Sequence, residues 1–428
     1  MLINLNPQRG LRDLYPESKA RQDYIFTQLK KVADLHGFLA YDGPLLEDIN
    51  LYLNKSSQEL IAKQTFQVIA KNKDQQLVLR PEMTPSLSRM IANKAQALTF
   101  PLKLFNWGLR YRYEAPQKGR AREFYQADFD IIGSDNLLAD AEILYTVVNL
   151  FLQFGAKKQD FILYLNCRNL MEEKLRLLGI KTDLNTLFKI IDKKEKIPPE
   201  KFPLLLAEIN LNPKQISKLE AFLNNKSFLQ NSPYFQSLFS LLKNYGIDQY
   251  CEINPSIVRG LDYYTGLVFE VKETAGLKRS LLGGGRYDNL IAAYNHKLTL
   301  PGIGFATSDV VLEEFLCNKN LFPANLNLQK KILVTVFTQE FLPHSIKAVA
   351  FLREKGIAAE IFLEPTKKLD KQLKWANKNN FAYALIIGPE EIKCKNYQLK
   401  NLRTRQQQVV NNLDVLVKYL KTNLSIQR

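Results

Sequence analysis

Cysteine is scarce in this sequence and widely scattered. The four cysteines, Cys167, Cys251, Cys317 and Cys394, form no CxxC pair. That excludes a zinc ribbon and a disulfide scaffold, and fits a reducing compartment, the cytoplasm. Histidine is scarcer still. His36, His296 and His344 lie far apart, so neither a His-based metal site nor a Cys/His nucleophilic pair is expected, and no metal ligand is assigned. There is no run of about 18 apolar residues, and the opening stretch MLINLNPQRG has no apolar segment. The expectation is therefore no membrane span and no signal peptide. Fixed-period repeats and low-complexity tracts are also missing, as are the phosphate-binding patterns GxxxxGK[ST] and GxGxxG.

What is present suits a large, multidomain globular chain. Of 428 residues, 46% are hydrophobic and 24% charged, enough to bury a sizeable core. The formal net charge is +16, and its location is informative. Residues 330–428 hold 18 Lys and Arg against 8 Asp and Glu. A basic module of this kind implies a polyanion partner, with nucleic acid first; a genome rich in Lys and Asn codons is the plain alternative.

The pattern along the chain changes three times. Tyr24, Ile25, Leu29, Val32 and Ala33 recur at helical spacing, predicting an amphipathic helix over 17–36. LKLFNWGLRYRYE and FYQADFDIIG read as two strands around a basic loop, APQKGRARE, an antiparallel pair. A helix over 137–155 and a strand at 161–166 follow. Residues 168–250 lose strand alternation and become Leu-rich, which predicts a helical insertion. Strand signals return in VRGLDYYTGLVFEVKE and RSLLGGGRYDNL, and FPANLNLQK (322–330) is the best candidate linker. After it strands alternate with helices, predicting a small α/β module with a largely parallel sheet.

Three constellations carry chemistry. Arg112, Glu114, Lys118, Arg120, Arg122 and Phe124 cluster around the basic loop; a strand-end arginine suits a bidentate clamp on phosphate or carboxylate. Arg259, Asp262, Tyr263 and Tyr264 could line a pocket with polar handles. Gly283, Gly284 and Gly285 before Arg286, Tyr287 and Asp288 would let a backbone approach a ligand closely. Singly, each is equally consistent with a solvated loop, an ion pair or a glycine turn.

Jointly, the segments RGLRDLYPES, LRPEMT, RYEAPQKGRAREFYQADFDIIG, RGLDYYTG and GGGRYD resemble, in order, the signatures of the class II aminoacyl-tRNA synthetases, and within them the histidyl-tRNA synthetase family. The resemblance covers nearly the whole chain, least specifically in the helical insertion. It implies an α+β fold, an antiparallel sheet flanked by helices, with a C-terminal α/β anticodon-binding domain. It also implies a division into a first catalytic part (1–167), the helical insertion (168–250), a second catalytic part (251–325) and the anticodon-binding domain (330–428). The implied activity is ATP- and Mg²⁺-dependent activation of L-histidine, then transfer to the 3′ end of tRNA(His). The implied assembly is a homodimer through the segment containing helix 17–36 and Pro44.

The same resemblance implies residue roles. Glu82, Met83 and Thr84 would hold the amino acid's α-amino end; Gln126, Asp130, Tyr263, Tyr264 and Tyr287 would line the histidine pocket. Arg112 and Arg259 would be catalytic, touching both histidine and ATP. Glu114 and Phe124 would sit against adenine. One departure is plain: in GIGFATSDVVL, Val310 and Val311 stand where the family has Glu-Arg, and that arginine meets the ATP γ-phosphate. Arg120 is then the first replacement candidate and Arg122 the second. Ala115 replaces an arginine found in some members, while Gln117 is retained. The rival reading is a catalytically silent paralogue acting as a histidine-biosynthesis regulatory subunit, a group that generally lacks the C-terminal module.

Overall fold

The computed structural model describes residues 4–53, 64–69, 76–259, 263–277, 279–324, 326 and 332–425. Asp262, singled out above, and most of the candidate linker lie outside the described residues. The chain divides into two compact units, residues 1–322 and 323–428.

The first unit is organised by strand alternation. In β6 (Glu123–Ile132), Phe124, Gln126, Asp128 and Asp130 share one face, because successive side chains of a strand point to opposite sides. The other face carries Ala127, Phe129 and Ile131, which join Ile25, Leu29, Val147 and Phe151 in one apolar core. Those partners come from the helices Pro16–Leu35 and Leu137–Gln153. The second helix begins where the Asn136 side chain accepts from the Leu138 amide at 2.8 Å, capping an otherwise orphaned donor. Phe129 stacks on Phe305 with ring centroids 4.8 Å apart; burying one such side chain contributes about 1.5–3 kcal/mol. The polar face of β6 is thus left for a site, and the apolar face holds the fold.

Around β6 lies an eight-stranded sheet in the order β1-β5-β6-β11-β10-β9-β7-β8. Its members are β1 (Leu39–Ala40), β5 (Leu102–Tyr111), β7 (Phe161–Cys167), β8 (Cys251–Ile253), β9 (Leu267–Glu273), β10 (Ser280–Arg286) and β11 (Gly302–Ser308). Only the outermost pairs, β1 with β5 and β7 with β8, are parallel; the rest are antiparallel. A separate three-stranded sheet contains β2 (Leu46–Asp48), β3 (Phe66–Ile69) and β4 (Gln76–Leu79). Residues 168–250 are helical as the Leu-rich pattern predicts, with Arg168–Leu177, Leu184–Lys193, Lys201–Glu208, Pro213–Leu223 and Pro233–Asn244 the longer pieces. Leu187, Phe188 and Leu219 of this stretch belong to the same core as Phe129 and Phe269.

The second unit has its own core, with Ile332, Val334, Leu352, Leu385, Leu416 and Leu420 at its centre. Its five-stranded sheet runs β13 (Ala359–Ile361), β12 (Ile332–Val334), β14 (Tyr383–Ile386), β15 (Tyr397–Asn401), β16 (Gln407–Val410). The first three are parallel, as strand–helix alternation predicts, but β15 and β16 form an antiparallel hairpin that the prediction lacks. Among the described residues no helix is long and apolar enough to cross a membrane.

Candidate active site

A cavity of about 1270 Å³ lies over the polar face of β6 and the adjoining strands β11, β10 and β9. Twelve of the fourteen residues given roles from the sequence line it: Glu82, Thr84, Arg112, Glu114, Arg120, Phe124, Gln126, Asp130, Arg259, Tyr263, Tyr264 and Tyr287; Arg122 is not among them. Nor is Met83. It is fully buried, and its Sδ receives Arg80 Nη1 at 3.6 Å. Sequence neighbours at the entry to the helix Thr84–Lys94 turn different ways, and the cavity receives only Glu82 and Thr84.

One end of the cavity is a cluster of acids and tyrosines. Tyr263 donates to Glu82 Oε2 at 3.2 Å, and Tyr287 donates to Asp130 Oδ1. The ring centroids of Tyr263 and Tyr264 are 5.0 Å apart, and those of Tyr263 and Tyr287 6.1 Å. Burial raises all three phenol pKa values, which keeps the hydroxyls protonated as donors. Burial, then the neighbouring Asp128, pushes Asp130 up to about 8. Its Oδ2 has no hydrogen-bond partner among the described residues. Asp130 lies beside Gly304 of β11, where a built Cβ would come within 2.3 Å of Asp130 Oδ1. The glycine provides the room the carboxylate occupies.

Arginines dominate elsewhere. Arg112 Nε donates to the Pro81 carbonyl at 2.9 Å, and its guanidinium carbon lies 5.5 Å from the Phe124 ring centroid. Arg259 has φ of 57°, in the left-handed region that non-glycine residues rarely occupy, and its Nη1 lies 3.7 Å from Glu270 Oε1. Burial opposes the Arg259 charge, but Glu270 and Tyr264 more than offset it and hold the group protonated. Arg120 pairs with Glu114 at 2.7 Å. Arg122 turns away from the cavity: it stacks on Tyr113 at 3.9 Å, and its Nε donates to the Glu114 carbonyl at 3.0 Å. The basic loop is therefore no free hairpin tip. The Arg122 amide donates to the Gly10 carbonyl at 2.8 Å, tying the loop to the N-terminal RGLRD segment.

The sequence reading missed the supporting layer. Arg110 is fully buried and pairs with Asp128 at 2.8 Å, while Gln126 Nε2 donates to Asp128 Oδ1 at 2.7 Å. Arg80, also buried, holds Asp42 and the Gly43 carbonyl, each at 2.8 Å. Period-2 spacing along GLRYR and YQADFD is the one signal that could have revealed Arg110 and Asp128. Gly283 lines the cavity, and at Gly285 a built Cβ would come within 2.8 Å of the Tyr264 ring. Gly283 and Gly285 thus make room for Arg259 and Tyr264, while Gly284 lies against Phe269 and Phe305. Val311 is 5% exposed and packs in the main core, while Val310 lines the cavity. Neither can bind an anion.

The histidyl-tRNA synthetase family model matches residues 10–309, and the anticodon binding domain model matches residues 327–423. A protein named histidine–tRNA ligase from Leptospira biflexa is 35% identical over 97% of this chain and 97% of its own length. One of the same name from Pyrococcus furiosus is 32% identical over 97% and 98%. The crystal structure of histidyl-tRNA synthetase from Nostoc sp. PCC 7120 shares the fold, with TM-score 0.81 at 23% identity over 99% of this chain and 100% of that one. With the two family models in chain order and relatives similar over nearly their full length, this chain belongs to the histidyl-tRNA synthetase family.

Proposed function

We propose that the chain activates L-histidine with ATP and transfers it to tRNA(His). The observation that carries this reading is the meeting, in one cavity, of a buried acid–tyrosine cluster with Arg112 and Arg259. Imidazole has two ring nitrogens, and a carboxyl group together with phenol hydroxyls can satisfy both. Asp130, with Oδ2 unpartnered, is the group we assign to the ring, and Gln126, Tyr264 and Tyr287 complete its pocket. Glu82, Thr84 and Tyr263 receive the α-ammonium. A site built on polar contacts discriminates strongly against analogues that lack them.

In the activation step a carboxylate oxygen of histidine attacks the α-phosphorus of ATP, and pyrophosphate leaves. Negative charge builds on the phosphoryl oxygens. Arg112 and Arg259 are fixed guanidinium groups, so they stabilise that charge with little reorganisation. Glu114 and Phe124 hold the adenine side. In the second step a ribose hydroxyl at the tRNA 3′ end attacks the aminoacyl carbonyl and AMP leaves.

Mg²⁺ accompanies ATP in this scheme and neutralises phosphate charge. Among the described residues no group of three or more His, Cys, Asp or Glu side chains could hold a metal. Glu270, which also faces Arg259, is one cavity carboxylate that would help hold an ion brought in with the phosphates.

Residues 330–428 serve the anticodon, supported by their excess of Lys and Arg, while 1–167 and 251–325 form the catalytic part around the helical stretch 168–250. A homodimer through the segment containing Pro44 is supported by exposed Leu35, Leu39, Leu45 and Leu46. The free cysteines fit a cytoplasmic location. The rival reading, a silent regulatory subunit, is less supported, since the chain carries the matched anticodon-binding unit and retains Arg112 and Arg259. Pyrophosphate exchange with each of the twenty amino acids tests the proposal: histidine alone should support it. Equal exchange with another amino acid, or none with any, would overturn it.

A further inference from the structure

Val310 lines the cavity and Val311 packs in the core, so neither offers a charge to the far end of a bound triphosphate. β10 and β11 pair antiparallel with Leu282 opposite Thr307 and Gly283 opposite Ala306. Arg279 comes directly before β10, and Val310 follows β11 in the helix Asp309–Asn318; both line the cavity. The whole run from Arg279 to Gly283 lines the cavity, so Arg279 stands at the start of the strand that forms its wall.

Arg279 is set up unlike its neighbours. Its Nε is buried without a hydrogen-bond partner, and no carboxylate lies within 4.0 Å of its guanidinium among the described residues. Its one polar contact is Nη1 to the Lys118 carbonyl at 3.4 Å. Burial and the adjacent Arg120 both disfavour its charge, with Glu114 a partial offset. The other loop cations are already satisfied: Arg120 by Glu114, and Lys118 by Glu314 at 2.6 Å. The placement is also held. Glu273 accepts from the Leu277 amide at 2.8 Å and pairs with Lys319 at 3.1 Å, fixing the turn before β10. Across the cavity, Gly119 has φ of +71°, and a built Cβ there would lie 3.1 Å from Arg279 Cδ. A half-buried guanidinium beside a like charge, with an unsatisfied donor, is costly until an anion completes it.

We propose that Arg279 binds the terminal phosphate of ATP, restoring from across the β10–β11 pair the contact that Val310 and Val311 cannot make. This rests on the functional reading above and replaces Arg120 as first candidate. The test measures equilibrium affinity for ATP and for AMP in the wild type, Arg279→Ala, Arg279→Lys and Arg120→Ala, alongside histidine-dependent pyrophosphate exchange. In Arg279→Ala, ATP affinity should fall about ten-fold or more with AMP affinity unchanged, the loss expected of one charge-assisted contact. The Michaelis constant for histidine should move less than about two-fold. Arg279→Lys should recover part of the ATP affinity. Unchanged ATP affinity in Arg279→Ala overturns the inference. So does an equal loss for ATP and AMP, or an ATP-specific loss found only in Arg120→Ala. A wild type that exchanges pyrophosphate with no amino acid sinks the functional reading instead, and the ATP-to-AMP affinity ratio still judges Arg279.

Discussion

The guanidinium of Arg259 fills the space that a side chain at Gly283 would need: a built Cβ on Gly283 lies 2.3 Å from Arg259 Cζ and 2.4 Å from Nη1. Gly283→Ala must therefore push the arginine aside. The obstructed group is the end of a long side chain, so stability should change by less than about 1 kcal/mol while the arginine leaves the position from which we propose it acts. Histidine-dependent exchange should drop about 100-fold, the scale of losing one preorganised charge stabiliser. Thermal melts and exchange assays on the same preparation check both halves.

Asp130 should set a pH dependence of stability. Its carboxyl is pushed up to about 8 in the fold against an ordinary value of 3.8. Between those values the folded state holds a proton that the unfolded state has lost, so stability declines as pH rises through this window. Asp130→Asn removes the effect. The variant's advantage over the wild type should be about 1 kcal/mol or more larger at pH 9 than near pH 5. Histidine activation should be lost. Urea melts at the two pH values decide it; a pH-independent difference would mean the carboxyl is not perturbed in this way.

Tyr263→Phe deletes the hydroxyl that donates to Glu82 and leaves the ring in place. Its cost should fall on the amino acid. The Michaelis constant for histidine should rise about ten-fold, with that for ATP nearly constant, as for removal of one hydrogen bond to a charged group. Steady-state exchange kinetics with each substrate varied in turn give the answer.

Arg110→Met should be destabilising by about 3–5 kcal/mol, because it strands the buried Asp128 carboxylate without its counter-charge. Replacing Asp128 by Asn in the same chain should recover part of the loss, which denaturant titration of the single and double variants would reveal.

Removing residues 323–428, a compact unit with a core of its own, should reduce tRNA charging by about 100-fold or more and flatten its salt dependence. Histidine activation should persist in part. Undiminished charging by the truncated chain would give the basic unit another task.

How much of this could be read from the sequence depends on what each residue's type betrays. Phe124, Gln126 and Asp130 alternate along a strand whose other face is apolar, so their common side was legible. The helical character of 168–250 was legible from its Leu spacing. The hairpin β15–β16 was not: YQLKN and QQVV are too polar to look like strands, and pairing against β14 holds them in place. Arg80 resembles a surface cation in any local window, and only the meeting of distant segments buries it. Arg122 and Arg120 are two residues apart in one basic loop, yet one is bound to the loop's outer side and the other to Glu114. Arg279 carries no local signal, since its meaning comes from the strand beside it.

The glycine-lined strands also bear on how substrate range could evolve. From Gly283 to Gly285, β10 has no side chains left to shorten, and Gly302 and Gly304 leave β11 equally bare. A larger amino acid could gain space here only by loss of Asp130, Tyr264 or Tyr287, the groups packed over those glycines. With these groups assigned to histidine as we propose, widening the pocket and releasing the imidazole are a single mutational event, which closes this wall to gradual drift toward a larger amino acid.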